Sequence, residues 1–297
     1  MVHLPVLKKE VLEYLDPKPN QNFIDCTLGA GGHTIAILEK NQPKGKVLGI
    51  ELDPALYQRI KEEITSDRLI TVNDNFKNIT EIIQKIEFKK VAGVLLDLGM
   101  SSWHIDNSGR GFSFQKEEKL DMRYNPDIES SKSTAASIVN ERSQEEIEKI
   151  LKEYGEERFA RRIAKTIVEK RKYRTIKTTN QLIDIIQEAV PLWYKKKRIF
   201  FATRTFQAFR IAANDELNSL QSALPQIIDI LEPGGKVIVI SFHSLEDRIV
   251  KNFFREEKRK NTLKIITKKP IEATPGEIEI NPRSRSAKLR VAEKLRE

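Results

Sequence analysis

The chain has 297 residues, with 52 lysines and arginines against 43 aspartates and glutamates, a formal charge of +9 and one cysteine. That length can bury one large core or two smaller ones, and a single cysteine excludes an internal disulfide and points to a reducing compartment. No apolar run is long enough to span a bilayer, and Met1-Val2-His3-Leu4-Pro5 lacks a signal peptide's apolar region, so a soluble, cytoplasmic protein with a surface attractive to polyanions is expected.

An amphipathic helix is expected from Leu7 to Leu15, closed by Pro17-Lys18-Pro19. Short apolar strands then alternate with helical stretches: Asn22 to Cys26, Lys46 to Glu51, Ile70 to Asn73 and Ala92 to Asp97. Such alternation argues for a parallel sheet. From Ile105 to Phe200 the pattern is helical, including Gln144 to Tyr154, Glu156 to Lys172 and Asn180 to Ala189. A helix from Asp215 to Leu231, a Glu232-Pro233-Gly234-Gly235 turn and a strand from Lys236 to Ser241 resume the first pattern. Lys264 to Thr267 and Lys288 to Val291 are the last strands expected. The reading is an α/β domain, residues 1–105 and 201–297, interrupted by a helical insertion at 106–200.

The most informative stretch is Asp25-Cys26-Thr27-Leu28-Gly29-Ala30-Gly31-Gly32-His33, where a strand runs into glycines and then a helix. Glycine lets backbone N–H groups approach a ligand, and the helix aims its positive end there. About twenty residues on, Glu51 and Asp53 stand where ribose hydroxyls would lie. A dinucleotide fingerprint needs a third glycine where Thr34 stands, which weakens a nicotinamide reading. Asp25, Gly29 and Gly31 instead fit the spacing of S-adenosylmethionine (SAM) methyltransferases, with Thr27 where a glycine is usual. Ligands of open parallel sheets sit beyond the carboxyl ends of the strands. Those ends carry Asp74-Asn75-Phe76, whose ring suits an adenine, then Asp97 to Ser102 with Trp103-His104, and Ser241-Phe242-His243-Ser244.

Gly31-Gly32-His33, Leu95 to Ser102, Arg110 to Phe114, Leu120 to Arg123, Tyr154 to Ala160, Ala202 to Ala208, Ser241 to Arg248 and Asn281 to Ser286 resemble, in order and over nearly the whole chain, the MraW family of ribosomal RNA cytosine-N4 methyltransferases. The resemblance implies SAM-dependent methylation of the exocyclic amine of a cytosine in the decoding region of 16S ribosomal RNA. It also implies a class I methyltransferase fold, Rossmann-like and doubly wound with a mostly parallel sheet, carrying an inserted helical domain. Carried onto this chain, the SAM contacts are Gly31, Gly32, His33, Glu51, Phe76, Asp97 and His104. Glu51 stands where aspartate is common and His104 where glutamine is frequent, so the role of His104 is open.

The chemistry of the residues agrees. Methylation at cytosine C5 would need a cysteine nucleophile, and Cys26 lies in the first strand behind the glycine loop. An exocyclic amine needs only a hydrogen-bond acceptor and alignment with the sulfonium methyl, and alignment of that kind supplies about 7–11 kcal/mol in well-oriented systems. The Asp/Asn-Pro-Pro-aromatic tetrapeptide of many amino-methyltransferases is replaced by Asp97-Leu98-Gly99-Met100-Ser101-Ser102. Asp97, a backbone carbonyl of this loop or a serine hydroxyl such as that of Ser101 is the expected acceptor, with His243 a candidate proton acceptor. The scattered His3, His33, His104 and His243 offer no ligand spacing, so no metal is expected.

Nine Lys or Arg face three Glu between Glu156 and Thr178. On a helix Phe159, Ile163 and Ile167 turn inward while Arg158, Arg162 and Lys165 line another face. Lys195 to Arg198 follow Trp193-Tyr194, and the tail adds Arg283, Arg285, Lys288 and Arg290. Arg158, Arg162, Lys165, Lys196, Arg198, Arg283 and Arg285 are the candidate RNA contacts, since cations beside aromatics suit phosphates and stacked bases. The expected partner is small-subunit RNA or its 30S particle, with an unpaired or assembly-intermediate strand favoured over a base within a helix; homodimerisation is open. The competing readings are a nicotinamide-linked oxidoreductase, a non-catalytic RNA-binding factor on a methyltransferase fold, and a methyltransferase of small molecules or proteins.

Overall fold

The computed structural model describes residues 4–127 and 134–296; Met1, Val2 and His3 lie outside the described residues. The chain packs as two compact units, Met1–Gly99 with Leu217–Glu297, and Met100–Glu216. The boundaries thus fall at 99 and 216, where the sequence suggested 105 and 200. His104 packs its ring on Phe112 and Tyr124, and Phe206, Phe209 and Ala213 belong to the second unit's core, which draws both flanking helices into that unit.

In the first unit α1 (Lys8–Leu15), β1 (Asn22–Asp25), α2 (Gly32–Lys40), β2 (Val47–Glu51), α3 (Pro54–Glu63), β3 (Leu69–Asn73), α4 (Ile79–Lys85) and β4 (Val91–Asp97) follow the expected alternation. The second unit holds α5 (Ser102–Asp106), α6 (Ala135–Glu141), α7 (Gln144–Glu153), α8 (Ala160–Arg171), α9 (Thr179–Ala189), α10 (Leu192–Lys195) and α11 (Thr203–Asn214). The chain then runs through α12 (Glu216–Ile230), β5 (Leu231–Ser241), α13 (Ser244–Arg259), β6 (Leu263–Ile265), β7 (Ile271–Glu272), α14 (Pro275–Ile280) and β8 (Lys288–Lys294).

The sheet runs β3-β2-β1-β4-β5-β8-β6, with β7 also on β8. β1 to β5 pair in parallel, and β8 is antiparallel to β5, β6 and β7. This is the α/β, Rossmann-like, mostly parallel sheet expected. Val94, Leu96, Val237 and Val239 face one buried layer, while Leu95, Ile238 and Ile240 face the other. Burial on both faces explains why these strands read as unbroken apolar runs. Each such side chain contributes about 1.5–3 kcal/mol when fully buried. Strand order reverses between β1 and β4, and such a switch point is where ligands of these sheets bind.

Three local departures have identifiable causes. Glu232 to Gly235 form no separate turn: Leu231 pairs with Val91 and Lys236 with Gly93, so the four residues bulge out within β5, with Gly234 at φ 83°. The helix expected from Glu156 begins only at Ala160, because Glu156 sits at φ 48° and the Glu157 carboxylate accepts from the Phe159 N–H. Arg158 therefore lies on a turn before α8 and not on the helix face assigned to it. The strand expected to reach Thr267 stops at Ile265, and the Thr267 hydroxyl accepts the Val291 N–H instead. Among the described residues no helix is long and apolar enough to cross a membrane.

Candidate active site

The end of β1 turns sharply. Gly29 and Gly31 take φ 53° and 75°, which a Cβ would strain. The Gly31 N–H donates to Leu28 O at 2.7 Å, and Gly32 opens α2. Two groups hold this loop. Asp25, 1% exposed, accepts from the Thr27 N–H at 3.1 Å and from the Thr34 hydroxyl at 2.8 Å, and its burial raises its pKa. Thr27, where a glycine is usual, accepts the Asp97 N–H on its hydroxyl at 2.7 Å and so ties the loop to the end of β4. No sequence pattern marks that link beyond the departure itself.

Glu51 ends β2 almost fully buried. Its carboxylate accepts from the Gly29 and Asp53 N–H groups, each at 2.9 Å, and burial lifts its pKa to about 7. Each carboxylate oxygen retains acceptor capacity beyond one such bond. Asp53, expected at the ribose, caps α3 by accepting from the Ala55 N–H at 2.9 Å, with Pro54 at the first helical position, a preferred start. Phe76 opens a short 3-10 turn capped by Asn75 and packs half-buried on the apolar layer beneath. Asp97 and His33 meet at the switch point, Nε2 to Oδ2 3.5 Å. Neither ring nitrogen of His33 nor Oδ1 of Asp97 has a hydrogen-bond partner among the described residues.

His243 is the N-cap of α13. Its Nδ1 accepts the Glu246 N–H at 3.4 Å, its Nε2 stands 3.2 Å from Glu246 Oε1, and the same carboxylate accepts the Phe242 N–H at 2.8 Å. Both ring nitrogens face this capping arrangement. Cys26 is buried, and desolvation pushes its thiol well up, which leaves no thiolate for covalent attack.

In the second unit Ser101 caps α5 in a reciprocal pair with His104, Oγ to Nδ1 2.8 Å. The His104 ring lies 4.9 Å from Tyr124 and 5.2 Å from Phe112. Arg110 covers Trp103 and Phe112 and donates to the carbonyls of Arg123 and Tyr124, while Asp121 grips Arg123 through both carboxylate oxygens. The motif blocks around residues 103–123 thus build the frame in which His104 sits.

Of the basic candidates, Arg158 lies 5.3 Å from the Trp193 ring and Arg162 5.8 Å from Phe159; Lys197, outside that set, lies 5.1 Å from Trp193. The buried Glu157 carboxylate accepts the Tyr194 hydroxyl at 2.9 Å, fastening α10 beneath this surface, and desolvation is the chief cause raising the Tyr194 pKa to about 12. Trp193 remains 48% exposed and Leu192 73%. Lys165 is exposed and paired loosely with Glu169 at 3.7 Å; Lys196 and Arg198 are exposed. Arg283 and Arg285 belong to the first unit, in a 3-10 segment before β8. Arg290 is buried there against Asp247 at 2.6 Å.

Residues 1–295 match the family model described as the MraW methylase family. The chain is 47% identical to the ribosomal RNA small subunit methyltransferase H of Heliobacterium mobile, with 99% of each chain covered. It is 48% identical to the protein of that name from Halothermothrix orenii, covering 99% of this chain and 98% of that one. A third such relative, from Persephonella marina, is 45% identical over 99% of both. With a family model spanning its whole length and relatives this similar end to end, the chain belongs to the MraW methylase family.

Proposed function

We propose that this protein transfers the methyl group of SAM to the exocyclic N4 amine of a cytosine in small-subunit ribosomal RNA. The observation that carries the reading is the unsatisfied polar set at the switch point: Asp97 Oδ1 and both nitrogens of His33, buried and without hydrogen-bond partners among the described residues, with His33 Nε2 only in a 3.5 Å contact with Asp97 Oδ2. Buried polar groups are normally hydrogen-bonded, so such a set implies a ligand that supplies the partners. The sulfonium of SAM supplies the electrophilic methyl. The N–H groups of the glycine loop would approach that cofactor, Glu51 would accept from its ribose hydroxyls, and Phe76 would offer its ring to the adenine. Asp97 accepts an N–H hydrogen bond and fixes the orientation of the amine or of the amino-acid end of the cofactor. Within the second unit, His104 is held by Ser101.

The exposed Trp193 with Arg158 and Lys197 beside it, together with Arg162, Lys165, Lys196 and Arg198, supports RNA as the substrate class, since cations and aromatics together suit an unpaired strand. Arg283 and Arg285 extend the basic set on the first unit.

Labelled SAM incubated with small subunits from cells lacking the enzyme, followed by mass spectrometry of the nucleosides, tests this directly. Label in N4-methylcytidine is expected. Label elsewhere, or none, overturns it.

A further inference from the structure

At the sheet edge formed by β6, β8 and α13, within the first unit, Lys251, Phe254, Arg255, Ile265, Thr267, Lys268 and Arg290 line a cleft of about 30 Å³. Its charge is one-sided. Lys251 and Arg255 lie one turn apart on α13, a like-charge spacing that costs an isolated helix a few tenths of a kcal/mol. Among the described residues the side chains of Lys251, Arg255 and Lys268 make no ion pair and no hydrogen bond, whereas the neighbouring acids Glu256 and Glu257 are engaged by Lys260. Arg290 is 7% exposed and pinned by Asp247, its Nε and Nη2 donating to the two carboxylate oxygens. That leaves Nη1 uncommitted. Thr267, 6% exposed, uses its oxygen to accept the Val291 N–H, so its own hydroxyl proton has a donor role to fill.

Three unpaired cations, a fixed guanidinium and a hydroxyl donor therefore converge on a space for about two water-sized groups. A nucleobase is too large for it, while a single phosphate group matches it in size and in the donors it needs. Lys251 is half-buried and Arg255 and Lys268 are exposed, so the donors form an open rim of the kind that meets a passing strand.

Building on the proposed RNA substrate, we infer that this cleft seats a backbone phosphate of that RNA, a contact additional to Arg283, Arg285 and the basic surface of the second unit. The test uses the full chain and the triple variant Lys251→Gln/Arg255→Gln/Lys268→Gln, with RNA affinity measured across a salt series and inorganic phosphate titrated separately. Each phosphate contact contributes about 0.7 to the log–log salt slope on a single strand. The triple variant is expected to lose at least about 0.7 of slope and about tenfold in RNA affinity at low salt, with SAM affinity retained. An unchanged slope and affinity in a folded variant overturn the inference. Phosphate binding that the variant loses while RNA binding stays intact assigns the cleft to a free anion and also overturns it. Lys268→Glu, a reversal at an exposed position, gives the same readout if the triple variant does not fold. Should the parent chain methylate no RNA, the functional reading fails first, whereas a methylating parent with an indifferent variant removes the cleft alone.

Discussion

His33 Nε2 and Asp97 Oδ2 stand 3.5 Å apart at the point where the strand order reverses, both side chains largely buried, and Asp97 Oδ1 has no donor among the described residues. A carboxylate left with an empty acceptor site in a poorly solvated place is costly unless a ligand supplies the proton donor. Asp97→Asn keeps the shape and swaps one acceptor for a donor. A charge-assisted hydrogen bond contributes about 1.5–3 kcal/mol, so the substitution is expected to lower kcat/KM by about 10- to 150-fold. SAM titration locates the loss: weaker SAM binding assigns Asp97 to the cofactor, and normal SAM binding with slow turnover assigns it to the amine. Full turnover with normal SAM affinity removes Asp97 from the site.

Glu51 gives the pH dependence. Burial holds its pKa at about 7 against an ordinary 4.5. A carboxyl whose pKa rises on folding stabilises the folded state while protonated, so its contribution is complete below 4.5 and disappears as pH climbs through about 7. Ribose hydroxyls donate to the ionised form, so the cofactor should shift that equilibrium the other way. SAM affinity is expected to rise with pH through about 7 and then level, with protons released on binding. Calorimetry in buffers of different ionisation enthalpy measures both. A flat profile, or one that survives Glu51→Gln, rules the mechanism out.

Asp53 separates local chemistry from ligand chemistry. Its carboxylate accepts from the Ala55 N–H at 2.9 Å at the start of α3. Losing such a cap costs about 0.5–2 kcal/mol, and Asp53→Ala is expected to lower unfolding free energy by that amount in urea titrations. Lost SAM binding at unchanged stability would return Asp53 to the ribose.

The positions of the first four strands, their parallel pairing and the acids at their ends are legible in the sequence because both faces of the sheet are buried and each run is closed by a polar residue. Glu51 was found this way. Asp53 is legible too, but two carboxylates one residue apart after a strand have two uses, and Pro54 behind Asp53 is the available sign of a cap. Thr27 registered only as a departure from a glycine pattern, because its bond to the Asp97 N–H joins residues seventy apart in the chain. Arg158 was misplaced onto a helix since periodicity does not reveal that Glu156 adopts a positive φ. The two-residue strand Ile271–Glu272 is too short to carry any alternation.

His243 poses a choice between a cap and a base that one pair of variants decides. Asparagine is among the best N-cap residues and alanine among the poorest. With Nδ1 accepting from Glu246 N–H and Nε2 beside the Glu246 carboxylate, His243→Ala is expected to lose about 0.5–2 kcal/mol of stability. His243→Asn should recover both the stability and the turnover. If Asn restores the melting temperature but leaves methyl transfer slow, with the pH–rate profile losing an ionisation, the histidine is handling a proton.

The surface around Trp193 predicts how the substrate is held. Arg158 and Lys197 lie 5.3 and 5.1 Å from its ring, so the indole both offers apolar area to a base and fixes two cations that would otherwise wander. Stacking of one base contributes about 1–3 kcal/mol by alanine substitution. Trp193→Ala changes no charge, so it should weaken RNA binding by about 5- to 150-fold while leaving the salt slope almost as steep. Arg158→Gln should do the reverse, with a shallower slope and a modest loss at high salt. Equilibrium binding to a single-stranded RNA across a salt series separates the two. If the loss of Trp193 flattens the slope no less than the loss of Arg158, Trp193 acts by holding the cations and the stacking prediction fails, because only displaced cations change the number of counterions released.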